Sequence, residues 1–181
     1  MIGKKDKIVA IVLMIVLGTC MHFVIGALPP GGISVFLGNF FPVSETSWEH
    51  MKMMWYPFLV AGIILSLKTG NRGYFASFVV CGVMTMLMNT GAFTIYQSLL
   101  ERTVLLMDIA IYVSTMLAGA LLAFELSQKK WAQKLLPLWV ALAVMITAGI
   151  IWLTYYPGKG YIFLDNTGLA SDSHHIHGHV H

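Results

Sequence analysis

The chain has 181 residues, of which 57% are hydrophobic and 10% are charged, and its formal net charge is +3. An ordinary soluble domain carries roughly 25% charged residues, so most of this surface has to face something other than water. We therefore expect a protein embedded in a lipid bilayer. The lysines lie beside apolar runs and form no stripe with aromatic residues, which argues against nucleic-acid binding. Cys20 and Cys81 both fall inside apolar runs, so neither a disulfide framework nor a paired-thiol zinc site is indicated.

Five segments are long and apolar enough to cross the hydrocarbon core, which takes about 20 residues of helix. The predicted spans are Ile8 to Leu28, Ser47 to Leu67, Tyr74 to Tyr96, Val104 to Phe124, and Leu135 to Thr154. Pro57 lies inside the second span, where it removes one backbone hydrogen bond and predicts a kink. The sequence therefore predicts an all-α integral membrane bundle of five transmembrane helices over residues 1–154. Residues 155–181 are predicted to form a flexible, His-rich tail.

Lysine and arginine near the span ends predict the orientation, because these residues resist translocation. With five spans, eight of them fall on one side: Lys4, Lys5, Lys7, Lys68, Arg72, Lys129, Lys130 and Lys134. The opposite side then holds only Lys52, Arg102 and Lys159. We therefore expect a multi-pass cell-membrane protein whose amino terminus is cytoplasmic and whose carboxyl terminus and tail lie outside. Leu17 to Cys20 loosely resembles a lipoprotein cleavage box, but the apolar run continues beyond it, so no cleavage is expected.

The stretch FFPVSETSWEHMKMMWYP, residues 40–57, concentrates rare ionisable groups at the start of the second span. Thr46 and Glu49 have the spacing of a capping box, which predicts a helix start. Lys52 lies three residues beyond Glu49, so a weak surface pair is expected between them. Trp48 fits an interface anchor, with its amphipathic ring at headgroup level, equally well as a residue that shapes the mouth of a site.

The other spans carry polar residues at a similar predicted depth, near the outer side. These residues are His22, Asn89, Asp108 and Thr147. A carboxylate costs about 2.5 to 3.5 kcal/mol at the centre of a membrane and less near the interface, so Asp108 needs a partner or a wet cavity. A protonated Asp108 that is hydrogen-bonded to Tyr112 is an alternative with a purely structural role.

These residues predict one outward-facing polar site. Its candidate ligands or proton carriers are Glu45, Glu49, His50, His22 and Asp108, with Trp48 at the mouth and Asn89 as a further candidate. Carboxylates and imidazoles bind divalent metals, relay protons, or hold a metal that activates water. We expect the site to bind a metal ion, a proton or a small solute for transport or sensing. A membrane-embedded hydrolase or transferase and a scaffold subunit are the alternatives, and a homo-oligomer stays open.

The last residues of the chain read HHIHGHVH. Low-complexity histidine tracts suit capture of zinc, nickel or copper. The candidate ligands in this tract are His174, His175, His177, His179 and His181. A purification tag and a solvated tail without a specific role are the alternatives.

Four motifs together resemble an uncharacterised family of small bacterial multi-pass membrane proteins. They are MHF at 21–23, FFPVSETSWEHMK at 40–52, NTGAF at 89–93 and DIA at 108–110. The family's hallmark reads roughly Pro-Val-Asn-Glu-Ser-x-Trp-Glu-His-Leu-Lys. This chain departs from it at Ser44 and Thr46, where Asn and Ser are expected, so a side-chain amide role at position 44 is in doubt. The resemblance supports a membrane location and a site in this stretch, and it supplies no reaction.

Overall fold

A computed structural model describes residues 2–24, 32–158 and 163 of the chain. Every regular element in this part is helical, in the order α1 (Lys4–Val24), α2 (Gly32–Leu37), α3 (Ser47–His50), α4 (Lys52–Thr69), α5 (Gly73–Leu100), α6 (Leu105–Leu126), α7 (Lys130–Lys134) and α8 (Leu136–Tyr155). Five stretches are long and apolar enough to cross a membrane: α1, the continuous run Ser47–Thr69, α5, α6 and α8. The predicted all-α architecture with five candidate spans is confirmed.

Local chemistry explains where the long helices end. Helix α4 ends at Gly70, whose φ of 67° is in the left-handed region that a glycine adopts at little cost. Helix α5 runs to Leu100, four residues past the predicted end at Tyr96, and closes at Glu101, which has a φ of 51°. At the other end of the chain, Pro137 lies in the first turn of α8, where its missing N–H costs nothing.

Helix α5 is the centre of the bundle, because it packs against α4, α6, α7 and α8. Helix α1 closes the other side by packing on α4 and α6. Between these helices the rings of Phe58 and Phe78 lie 5.8 Å apart and those of Phe78 and Phe124 lie 5.3 Å apart. All three phenylalanines are buried. Trp55 ties α8 to this core, since its Nε1 donates a hydrogen bond to Thr147 Oγ1 at 3.0 Å.

The outer faces of the long helices expose large apolar side chains, among them Leu13 on α1, Leu117 on α6 and Val144 on α8. Such a continuous apolar surface is too large for a protein surrounded by water, and it suits contact with lipid.

Gly18 is the position where α1 comes closest to its neighbours. A Cβ placed there would lie 2.4 Å from the backbone oxygen of Met53 and 2.1 Å from the hydroxyl oxygen of Tyr112. The Met53 carbonyl lies four residues before Pro57, which has no N–H to donate to it. The glycine therefore lets α1 lie directly against the part of α4 that the proline interrupts.

Candidate metal centre

The stretch before α4 begins with a helix cap, as the sequence predicts. Thr46 is the N-cap of α3, and its Oγ1 accepts a hydrogen bond from the Glu49 N–H at 3.3 Å. The backbone oxygen of Thr46 lies 2.8 Å from Nδ1 of His50. Because a carbonyl oxygen only accepts, Nδ1 carries a hydrogen, and in the neutral tautomer with that hydrogen Nε2 of His50 has the lone pair that a metal ion would bind. This is the arrangement by which proteins orient a metal-binding histidine.

Glu45 lies between two imidazoles. Its Oε1 is 3.8 Å from His22 Nε2, and its Oε2 is 3.6 Å from His50 Nε2. One ligand atom from each of the three side chains can be chosen so that all lie within 4.8 Å of one another. Bonds of about 2.1 Å to a tetrahedral ion place neighbouring ligand atoms roughly 3.4 Å apart, so small side-chain rotations would bring this set onto a divalent metal. His22, Glu45 and His50 are hereafter the triad.

The triad lines a cavity of about 440 Å³ at one end of the bundle. Its polar walls include Thr90 and Tyr112 as well as Asn89 and Asp108, and its apolar walls include Phe23, Phe93, Leu105, Ile109 and Val113. Five of the seven side chains that the sequence nominates from the membrane part of the chain therefore come together: His22, Glu45, His50, Asn89 and Asp108. They arrive from α1, the α2–α3 connection, α3, α5 and α6.

Asp108 has a hydrogen-bond partner on a neighbouring helix. The hydroxyl of Tyr96 donates a hydrogen bond to Asp108 Oδ1. The hydroxyl of Tyr112 donates instead to the backbone oxygen of Ile15 at 3.1 Å, so Tyr96 and not Tyr112, the alternative that the sequence offered, donates to Asp108. The Tyr96 partner was missed because the sequence places the two residues 12 apart on different helices, and only the close packing of α5 on α6 brings them together.

Glu49 does not line the cavity, and neither does Trp48, among the residues that the structure describes. Glu49 Oε2 lies 2.6 Å from Lys52 Nζ and accepts a hydrogen bond from the Val43 N–H at 2.9 Å. The expected pairing of Glu49 with Lys52 is confirmed, but its expected surface position is wrong, because the Lys52 side chain is fully buried and that of Glu49 is 5% exposed. The chain before Thr46 folds back over both side chains.

Lys52 holds that returning chain in place. Its Nζ donates to the backbone oxygen of Gly38 at 2.7 Å and to that of Phe41 at 3.4 Å, besides the bond to Glu49. The three donors of the ammonium group are thereby used. Together Glu49 and Lys52, hereafter the clamp, fix residues 38–43 directly before Glu45 in the chain.

Trp48 contacts a different part of the protein, since its ring centroid lies 5.5 Å from that of Phe163. The predicted histidine ligands of the tail, residues 174–181, lie outside the described residues.

A family model described as "Family of unknown function (DUF6512)" matches residues 2–169 of the chain. Among curated proteins no match is found. None is found among solved structures either.

Proposed function

The chain belongs to the family of unknown function DUF6512. From the geometry of its own side chains, we propose that it captures a divalent metal ion in an outward-facing cavity of the cell membrane. Capture is then the first step of transporting or sensing that ion. The observation that carries the proposal is the triad, whose ligand atoms converge within 4.8 Å at the mouth of the cavity.

The donor set selects the class of ion. Two imidazole nitrogens and one carboxylate oxygen suit zinc, and also copper or nickel, better than calcium or magnesium, which prefer oxygen ligands. Three protein ligands leave at least one coordination position of a tetrahedral ion free. A free position lets the ion exchange or meet a second ligand, as a capture site requires.

The charge distribution supports an outward-facing cavity. Lys7 Nζ lies 5.4 Å from the centre of the Phe124 ring, near the end of α6, and Asn71 Nδ2 lies 3.5 Å from the backbone oxygen of Ser127. The start of α1, the α4–α5 connection and the end of α6 therefore share one end of the bundle, and that end carries most of the lysines and arginines. By the positive-inside rule this end faces the cytoplasm, and the cavity at the opposite end faces out.

Metal capture is tested with protein lacking its last eight residues, so that the tail histidines contribute no ligands. We expect about one zinc ion per chain by elemental analysis and a lower affinity in Glu45→Gln. Glu101→Gln is the matched control, since Glu101 is also exposed but does not line the cavity. Equal metal content and affinity in both variants would remove the triad from consideration.

A second candidate function is metal-dependent hydrolysis, and the position of Asp108 favours it. Asp108 lines the same cavity as the triad without belonging to the group of close ligand atoms. Asp108 would be the group that accepts a proton from a water molecule or a substrate hydroxyl in the cavity, and a bound divalent ion would supply polarisation of a carbonyl there.

Flux and turnover separate the two functions. Transport predicts zinc uptake into proteoliposomes that is lost in Asp108→Asn or in the Glu45 variant with the fold intact. Hydrolysis predicts no flux and a changed lipid or wall-precursor profile in cells that lack the protein. If neither changes and a partner protein co-purifies, the scaffold alternative is favoured.

A further inference from the structure

The cavity is much larger than a single metal ion needs. A water molecule occupies about 30 Å³ in the liquid, so about 440 Å³ corresponds to roughly fifteen waters. Pockets that take organic ligands range from about 300 to 1,000 Å³. Phe93 and Val113 form part of the wall, and filling the space with water alone would leave such apolar groups hydrated. The cavity is therefore of the size and lining that an organic molecule needs.

The rim shows from which side such a molecule enters. Phe23, Leu105 and Ile109 line the cavity and are 66%, 74% and 51% exposed in total. A residue that lines the cavity and is so exposed lies where the cavity meets the surface. These three residues belong to α1 and α6, two packed helices whose outer faces suit contact with lipid. Glu45, with a side chain that is 64% exposed, lies on a polar part of the same cavity. The cavity therefore combines apolar groups of α1 and α6 with the polar side chain of Glu45.

Charge balance selects the head of the ligand. Glu45 and Asp108 both line the cavity, and no lysine or arginine is among the described residues that line it. A phosphate or carboxylate headgroup would therefore meet two acidic side chains and no cationic side chain in a poorly solvated place. A neutral oxygen donor, such as an ester or amide carbonyl, fits the free coordination position without that penalty.

Resting on the proposed metal site, we propose that the cavity binds a bilayer amphiphile whose neutral carbonyl oxygen contacts the metal ion and whose hydrocarbon chain lies against Phe23, Leu105 and Ile109. A bound ion would supply the polar contact, and the rim formed by Phe23 of α1 with Leu105 and Ile109 of α6 would admit the chain from the lipid. This occupant uses the polar and the apolar parts of the cavity together.

Native mass spectrometry of the full-length, zinc-loaded protein tests the proposal with three probes. They are a long-chain monoacylglycerol, the fatty acid of the same chain length, and glycerol monoacetate, which has the ester without the long chain. We expect the monoacylglycerol to bind about tenfold more tightly than either of the others, and its binding to weaken about tenfold in His50→Ala or after chelation. Equal binding of the fatty acid would overturn the neutral head, and equal binding of the monoacetate would overturn the lipid chain.

A substitution in the rim tests the position of the chain. Ile109→Trp fills the rim, and Leu121→Trp on the same helix is the matched control, because Leu121 is 50% exposed and does not line the cavity. We expect monoacylglycerol binding to fall about tenfold in the first variant only. Equal binding in the two variants would overturn the proposed pose. A wild-type protein without zinc would instead contradict the proposed function itself, and zinc without monoacylglycerol binding would contradict only this inference.

Discussion

Two glutamates four residues apart in one short stretch have opposite environments. Glu49 is buried in the clamp, where its carboxylate meets Lys52 Nζ at 2.6 Å and the Val43 N–H at 2.9 Å. Glu45 is 64% exposed, and its oxygens lie 3.6 and 3.8 Å from His50 and His22, too far for hydrogen bonds. The clamp satisfies its own charges, whereas the triad leaves its lone pairs available to a ligand.

The difference shows that spacing in a motif does not assign roles. A buried charge has to be fully paired, so the clamp contributes to the fold and tolerates no missing partner. An exposed carboxylate between two imidazoles costs little to keep and is free to bind. The clamp holds residues 38–43, which directly precede Glu45 in the chain, so it positions Glu45 without lining the cavity.

The largest expected effect is on stability and comes from breaking the clamp. Lys52→Met removes the ammonium and leaves Glu49 buried without its counter-charge, which costs about 3 to 5 kcal/mol in free energy of unfolding. Reversible unfolding in mixed detergent and denaturing micelles measures this. Glu45→Gln is the control and should stay within about 0.5 kcal/mol of the wild type. Equal stabilities of the two variants would contradict a structural role for the pair.

The next largest effect is on metal binding and comes from the triad. His50→Ala removes one nitrogen ligand, and since even supporting residues around a metal change its affinity by about 10- to 100-fold, we expect a loss of about 100-fold or more. Zinc competition titrations measure it. The free energy of unfolding of the apo-protein should change far less than in Lys52→Met. An unchanged zinc affinity would mean that the ion binds elsewhere.

The sequence predicts the fold well because membrane spans follow from length and apolarity. The five predicted spans correspond to the five long helices, and the first of these helices starts earlier than predicted because good helix formers need not be apolar. Lys4 and Lys5, for example, belong to α1 although the predicted span starts at Ile8. Hydropathy marks the part of a helix in the hydrocarbon core, whereas the helix itself continues through the interface.

The site was harder to predict. The sequence indicates how deep in the membrane a residue of a spanning helix lies, but it does not indicate whether the side chain is buried. The predicted depth placed His22, Asn89 and Asp108 at the level of Glu45 and His50, and all five line one cavity. It did not reveal that residues 38–43 return over Glu49 and Lys52, since that contact depends on the path of a loop. A lysine close to a glutamate reads the same in sequence whether the pair is exposed or buried.

A third effect concerns the helix that carries His22. Gly18→Ala introduces a Cβ that would overlap Met53 O and the Tyr112 hydroxyl, so α1 has to shift. Overpacking of this kind costs about 1 to 3 kcal/mol, and zinc affinity should fall as well because His22 lies one turn further along α1. Gly149→Ala is the matched control, since nothing lies within 4 Å of its Cβ position. If both variants keep wild-type stability and affinity, the close approach of α1 does not position the triad.

The smallest expected effect tests whether Asn89 stabilises the fold, as the clamp does, or binds a ligand, as the triad is proposed to do. Asn89 lines the cavity, but its Oδ1 lies 3.1 Å from the hydroxyl of Thr115 on the neighbouring helix. The single hydrogen of this hydroxyl also faces the backbone oxygens of Ile111 and Tyr112 at 2.8 and 3.0 Å. Thr115→Val removes the hydroxyl, and since interhelical bonds in membranes are worth about 0.6 kcal/mol on average, the loss should be about that size or smaller. We expect this loss of stability with zinc affinity unchanged, because the Asn89 amide oxygen bonds a neighbouring helix and so stabilises the fold, as the clamp does in its loop. A change in zinc affinity without a change in stability would instead place Asn89 with the triad, among the groups left free to bind.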